Sequence, residues 1–71
     1  MIVTGVVVYA EKFHSKKTNK DYTKLFVPVV GGVAEVIAEG DLTPLAGCED
    51  VPFKLGLRDG VLKLYYAGEE E

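Results

Sequence analysis

The stretch YTKLFVPVVGGVAEVIAE, Tyr22 to Glu39, decides how this chain folds. Gly31 and Gly32 sit between two runs rich in β-branched residues, and paired glycines that both tolerate positive φ are a hairpin signal. Before them, Thr23, Leu25, Val27 and Val29 alternate with Tyr22, Lys24, Phe26 and Pro28. That alternation reads as a strand from Tyr22 to Val30, with the first set turned to a core and the second set on the opposite face. Pro28 has no N–H to give a ladder, so pairing there is expected to be interrupted or one-sided. After the glycines, Val33 to Glu39 fits two patterns. Val33, Val36 and Ile37 hold helical spacing, and alanine and glutamate favour a helix. A run of seven residues is short for a helix, and the diglycine points to a hairpin, so a strand is preferred.

Working towards the N-terminus, Ile2 to Tyr9 is dense in β-branched residues and apolar on both faces, which suits a central strand. Gly5 in its middle marks a bulge or bend. Towards the C-terminus, Gly40 to Asp50 is a connection in which Leu42, Leu45 and Ala46 form at most a single helical turn over one end of the fold. Pro44 and Gly47 leave no room for more. Val51 to Leu57 is the fourth strand, with Val51, Phe53, Leu55 and Leu57 inward. Arg58-Asp59-Gly60 is a tight turn, and Val61 to Ala67 is the fifth strand. The expectation is an all-β domain over residues 1–68: a five-stranded antiparallel barrel of the oligonucleotide-binding (OB) kind, with little or no helix. An SH3-like barrel is the competitor, which composition does not separate from it. Residues 69–71 are a short acidic tail, expected to be disordered.

With 71 residues the chain makes one domain. A chain of this length buries only about 60% of its unfolded surface, and its single cysteine rules out an internal disulfide. A homodimer is the natural expectation for so small a core. Cys48 reads as a small buried or half-buried apolar residue. The run after Met1 is too short to span a membrane and has no basic leader before it, so a cytoplasmic location is expected.

The formal net charge of −3 hides a polarised chain. Glu11 to Lys24 holds five lysines against two acids, a local +3, while Glu35 onwards holds nine acids against three cations, a local −6. For a polyanion, the patch matters more than the total. Lys12, Lys16, Lys17 and Lys20 are expected to supply phosphate contacts from a basic arm, and Tyr22 and Phe26 to offer rings on which bases stack, with Lys24 between them. The alternative is that this face packs under the Lys12–Lys20 loop or on a partner subunit, or serves as the contact face of a small protein-interaction barrel. Phe13 is either a stacking residue at the loop tip or a plug at the barrel mouth. Arg58 lies in the other loop that OB barrels use for strand contact. Glu35, Glu39, Asp41, Glu49 and Asp50 lack the spacing of a calcium loop and read as a solvated acidic face that keeps nucleic acid on the basic side.

The segment Ser15-Lys16-Lys17-Thr18-Asn19-Lys20-Asp21-Tyr22, a basic loop ending in Lys-x-Tyr at the start of strand two, is similar to that of OB-fold single-stranded DNA-binding proteins. The plan of a short β-only chain that begins Met-Ile-Val and ends in a compact hairpin resembles the small filamentous-phage single-stranded DNA-binding proteins. The resemblance implies non-sequence-specific binding of single-stranded DNA, with RNA as a further possibility. His14 and Ser15 are sequence neighbours without an oriented base, and there is no phosphate-cradling glycine loop, so the chain reads as a non-enzyme with no cofactor or metal.

Overall fold

The computed structural model describes residues 2–68. The β-branched run at the N-terminus makes two strands rather than one: β1 is Ile2–Gly5 and β2 is Tyr9–Ser15. Between them Val7 is fully buried while Val6 and Val8 face outward. Its backbone leaves the strand pattern to donate to the carbonyl of Cys48 at 3.1 Å and to accept from the N–H of Gly47 at 2.7 Å. Gly5 closes β1 just before this turn of the chain. A Cβ there would lie 3.2 Å from Val27 Cγ1 and 3.4 Å from the Phe53 ring, so the strand passes so close to the core that any side chain would push on Val27.

The remaining elements are β3 (Lys20–Val29), β4 (Gly32–Glu39), a 3-10 turn at Thr43–Leu45, β5 (Val51–Arg58) and β6 (Val61–Tyr66). Strands take 64% of the described residues and no α-helix is present among them, so the all-β reading holds. The strands form two antiparallel three-stranded sheets, ordered β1-β5-β6 and β2-β3-β4. The expectation was five strands. Six are found because the first one divides and serves both sheets, and no ladder joins β4 to β6 among the described residues. Val33 to Glu39 is extended, pairing from Val29↔Gly32 to Tyr22↔Glu39, so the diglycine outweighs the helical spacing. Pro28 pairs only with Val33 of β4, beyond the last β2 partner at Phe26, which places the missing N–H on an open edge.

The core lies between the sheets and consists of Val7, Leu25, Val27, Val36, Val51 and Phe53, with Val3, Ala10, Leu42, Leu45, Cys48, Leu64 and Tyr66 packed round it. The 3-10 turn brings Leu42 and Leu45 onto this cluster, as the Gly40–Asp50 pattern implies. Cys48 is half-buried against it. Thr23 is the one buried polar residue among those described, and both its needs are met. Its hydroxyl donates to the Gly40 carbonyl at 2.7 Å and accepts from the Leu42 N–H at 2.8 Å, tying β3 to the connection after β4. Three residues expected in the core lie outside it, the first being Leu55, which is half-buried and apart from the cluster. Val29 is 45% exposed and Leu57 is 76% exposed, because both strands run on past the end of the packed layer. Met1 and the acidic tail at 69–71 lie outside the described residues.

Candidate nucleic-acid interface

The basic arm is a hairpin rather than a loop. β2 extends through Lys12, Phe13 and His14 to Ser15, and only Lys16 to Asn19 form the turn. The charged side chains of Glu11, Lys12 and His14 break the apolar pattern of the sequence without breaking the strand. A hairpin arm can be polar on both faces once it projects beyond its core. Asn19 closes the turn at φ 57°, the left-handed conformation that asparagine tolerates, and its N–H reaches the Ser15 carbonyl at 2.8 Å.

The ladder fixes which side chains share the outer face. Tyr9 stands opposite Phe26, Glu11 opposite Lys24 and Phe13 opposite Tyr22. On the far side of β3 these rows continue into Glu35, Ile37 and Glu39 of β4. Two aromatic pairs result: Tyr9 and Phe26 with ring centroids 5.5 Å apart, and Phe13 and Tyr22 stacked at 5.8 Å. They lie four residues apart along β3, roughly 13 Å at strand rise. Tyr9 and Phe13 are exposed, Tyr22 and Phe26 half-buried. The Tyr22 hydroxyl shares a 2.9 Å hydrogen bond with Thr18 Oγ1, which anchors the turn to the aromatic face. Phe13 is therefore on this face and at neither a loop tip nor the mouth of the fold.

Lys20 and Lys24 also point here, and each meets a carboxylate of β4. Lys24 Nζ is 3.2 Å from Glu35 Oε1, and Lys20 Nζ is 3.3 Å from Glu39 Oε1. The expectation of an acidic face set apart from the basic one is corrected for these two glutamates. The β3–β4 register carries them onto the aromatic face, opposite Phe26 and Tyr22. Lys16 and Lys17 have no ion-pair partner among the described residues and project from the turn, fully available to an anion. Lys12 lies on the other face of β2, across from Thr23. Its charge reaches Asp41, whose carboxyl is held below its ordinary range first by hydrogen bonds from the Thr43 hydroxyl and backbone and then by this lysine.

His14 braces the turn. Nδ1 is 2.8 Å from Asp21 Oδ1 and Nε2 is 3.2 Å from Asn19 Oδ1. Two acceptors facing both ring nitrogens suit the imidazolium, and the hydrogen bond to Asp21 raises the His14 pKa above its ordinary 6.5. Arg58 ends β5 opposite Val61, in the sheet that does not carry the aromatic face.

Sequence reasoning missed Tyr9 and Glu11 as members of this face. The signal was present: Tyr9-x-Glu11-x-Phe13 has the same alternation as Tyr22-x-Lys24-x-Phe26, and two such runs joined by a short turn pair ring to ring. Among the described residues no group of three or more His, Cys, Asp and Glu side chains is placed to hold a metal ion, and no helix is long and apolar enough to cross a membrane. Comparison with protein-family models, with curated proteins and with solved structures gives no match for this chain.

Proposed function

We propose that this protein binds single-stranded DNA with little sequence preference, capturing phosphates with lysines of the β2–β3 hairpin and stacking bases on its outer aromatic face. The observation that carries this reading is the pair of aromatic contacts, Tyr9–Phe26 and Phe13–Tyr22, open on one sheet face beside the Lys16–Lys17 turn. Every base has a π-face, so stacking of this kind is sequence-tolerant and contributes about 1–3 kcal/mol per base.

An OB-like barrel is the fold that goes with this function. Counting β1 and β2 as one bent strand gives five strands, a three-strand meander and a second hairpin attached through the first strand. The turn at 16–19 and the turn at 58–60 then correspond to the two loops, and β3–β4 to the face, with which such barrels bind oligonucleotides. The seam between β4 and β6 is where the barrel would close. Residues of both strands line it, Ala34 and Glu35 with Leu62 to Leu64, and Ile37 to Glu39 with Tyr65 and Tyr66.

A second reading makes the same face a contact for a protein partner, favoured by exposed Ile37 in the middle row. Fluorescence quenching with single-stranded DNA, RNA and duplex DNA at two salt concentrations separates them. Binding to oligo-dT that weakens with salt supports the proposal, and no binding at low salt removes it. RNA binding of equal strength would widen the ligand to single strands of either sugar.

A further inference from the structure

The two sheets divide the charge of the chain unequally. β1, β5 and β6 contain no acidic residue and three cations, Lys54, Arg58 and Lys63. β2, β3 and β4 set Lys12, Lys20 and Lys24 against Glu11, Asp21, Glu35 and Glu39. The register gathers the three cations of the first sheet on one side of it. Val51 and Phe53 are buried, so the alternate positions Lys54, Gly56 and Arg58 turn outward, and Lys63 joins them across from Gly56. All three cations are exposed, and Arg58 and Lys63 have no carboxylate at ion-pair distance among the described residues. Tyr65 lies among them, opposite Lys54. Unlike Tyr66 it is not packed on the core cluster. A Cβ on Gly56 would lie 3.1 Å from Tyr65 Cε2, so the ring leans over the bare backbone between Lys54 and Arg58. Lysines on sheets often guard an open edge. That account serves Lys63, but Lys54 is flanked by Ile2 of β1 and Tyr65 of β6 and has no edge to guard.

We propose that this outward face of β1-β5-β6 is a second site for single-stranded nucleic acid, with phosphates on Lys54, Lys63 and Arg58 and a base on Tyr65. Lys54 and Arg58 stand four residues apart, roughly 13 Å at strand rise, and Lys63 lies beside the midpoint on the neighbouring strand. A line of cations with a ring among them suits a chain of phosphates that carries bases. The exposed apolar side chains of this face, Ile2 and Val61, are paired with Lys54 and Arg58 at opposite corners, too dispersed to seat on a membrane. Because the core lies between the sheets, this face points away from the aromatic one. The two sites take the same class of ligand but stand or fall separately.

The test compares oligo-dT of about six nucleotides, which fits one face, with oligo-dT of about thirty, which exceeds any single OB site. For the wild type, the slope of log affinity against log salt is expected to be steeper for the long strand by about 2, from three further phosphates. K54Q/K63Q should remove about 1.4 of that difference and weaken the long strand about tenfold at low salt, with the short strand held as before. Either single variant should remove about half as much. As a readout that charge alone does not move, the Tyr65 ring resonances of Y9A/F13A should shift when the long strand is added. Equal slopes for the two lengths, or a K54Q/K63Q protein that binds the long strand as the wild type does, overturn the inference and leave the aromatic face standing. Loss of all binding in Y9A/F13A with Tyr65 unmoved does the same. Binding abolished by K54Q/K63Q and untouched by Y9A/F13A upholds this site and removes the aromatic one. Cosedimentation with phosphatidylserine vesicles, and with oligo-dT of neither length, would give the face to a membrane and overturn the proposal.

Discussion

Phe13 lies stacked on Tyr22 across the β2–β3 ladder, with 25° between the ring planes. Neither ring belongs to the core cluster, so the pair forms a platform that can be removed without opening the protein. F13A and Y22A are each expected to weaken binding of single-stranded DNA by about 1–3 kcal/mol, five- to more than a hundredfold. Thermal unfolding of both variants should stay near that of the wild type. Normal binding by the two variants would place the bases elsewhere.

The glutamates of β4 lead to a second expectation. Were all five lysines of the arm to neutralise phosphates, log affinity would fall against log salt with a slope of about −3.5. Lys20 and Lys24 are already paired with Glu39 and Glu35 and Lys12 lies on the other face of β2, leaving Lys16 and Lys17, for a slope of about −1.4. The double variant E35Q/E39Q releases both lysines. Its affinity at low salt is expected to rise and its slope to steepen towards about −2.8, read by the same quenching titration.

Thr23 supplies a third expectation, on stability. T23V keeps the shape of the side chain but leaves the Gly40 carbonyl and the Leu42 N–H without their partner. Each buried group left unpaired costs about 1–3 kcal/mol. Urea unfolding should show a loss of that order, and T23S should recover most of it. A T23V protein as stable as the wild type would mean that water replaces the hydroxyl.

His14 ties the turn to pH. Its pKa is raised in the folded protein, first by the hydrogen bond to Asp21. A raised pKa means that the protonated form supports the fold. The contribution is fully present below about 6.5, the ordinary histidine value, and is lost as pH rises through the higher folded value. A neutral ring can donate from one nitrogen only, so the hold on Asn19 or Asp21 is given up. The His14 ring resonances should titrate above 6.5 by NMR, and D21N should bring the midpoint down. An unshifted midpoint in the wild type would show that the contact to Asp21 does not persist in solution.

Local chemistry in the sequence marked the turns and most of the strands. Gly31-Gly32 and Asp59-Gly60 mark their hairpins because positive φ restricts the residue choice there, and the alternation of Thr23, Leu25 and Val27 names its own buried face. The break at Val6 to Val8 was legible only as a bend at Gly5, since the bonds that divide the strand go to Gly47 and Cys48, some forty residues away. The ends of the core were not legible either. Alternation says which face Val29 and Leu57 occupy but not where the opposing sheet stops. For the candidate site, the lysines and β3 aromatics stood out by composition. The company of Glu35 and Glu39 depends on the β3–β4 register, which pattern alone leaves open by steps of two residues.

The divided first strand also bears on how the chain is made. Its first half finds its ladder only in β5, whose first residue is Val51, while its second half pairs with β3. Emerging from the ribosome, the β2-β3-β4 meander can assemble early, but Ile2, Val3 and Val7 must wait for the connection and β5. For that interval an apolar edge stands open, and pairing over so long a separation is slow. A chain released before Phe53 is expected to hold the meander yet be sticky along that edge. The first half of the strand that holds the two sheets together is thus made ahead of the other described strands and stays unpaired until β5 follows.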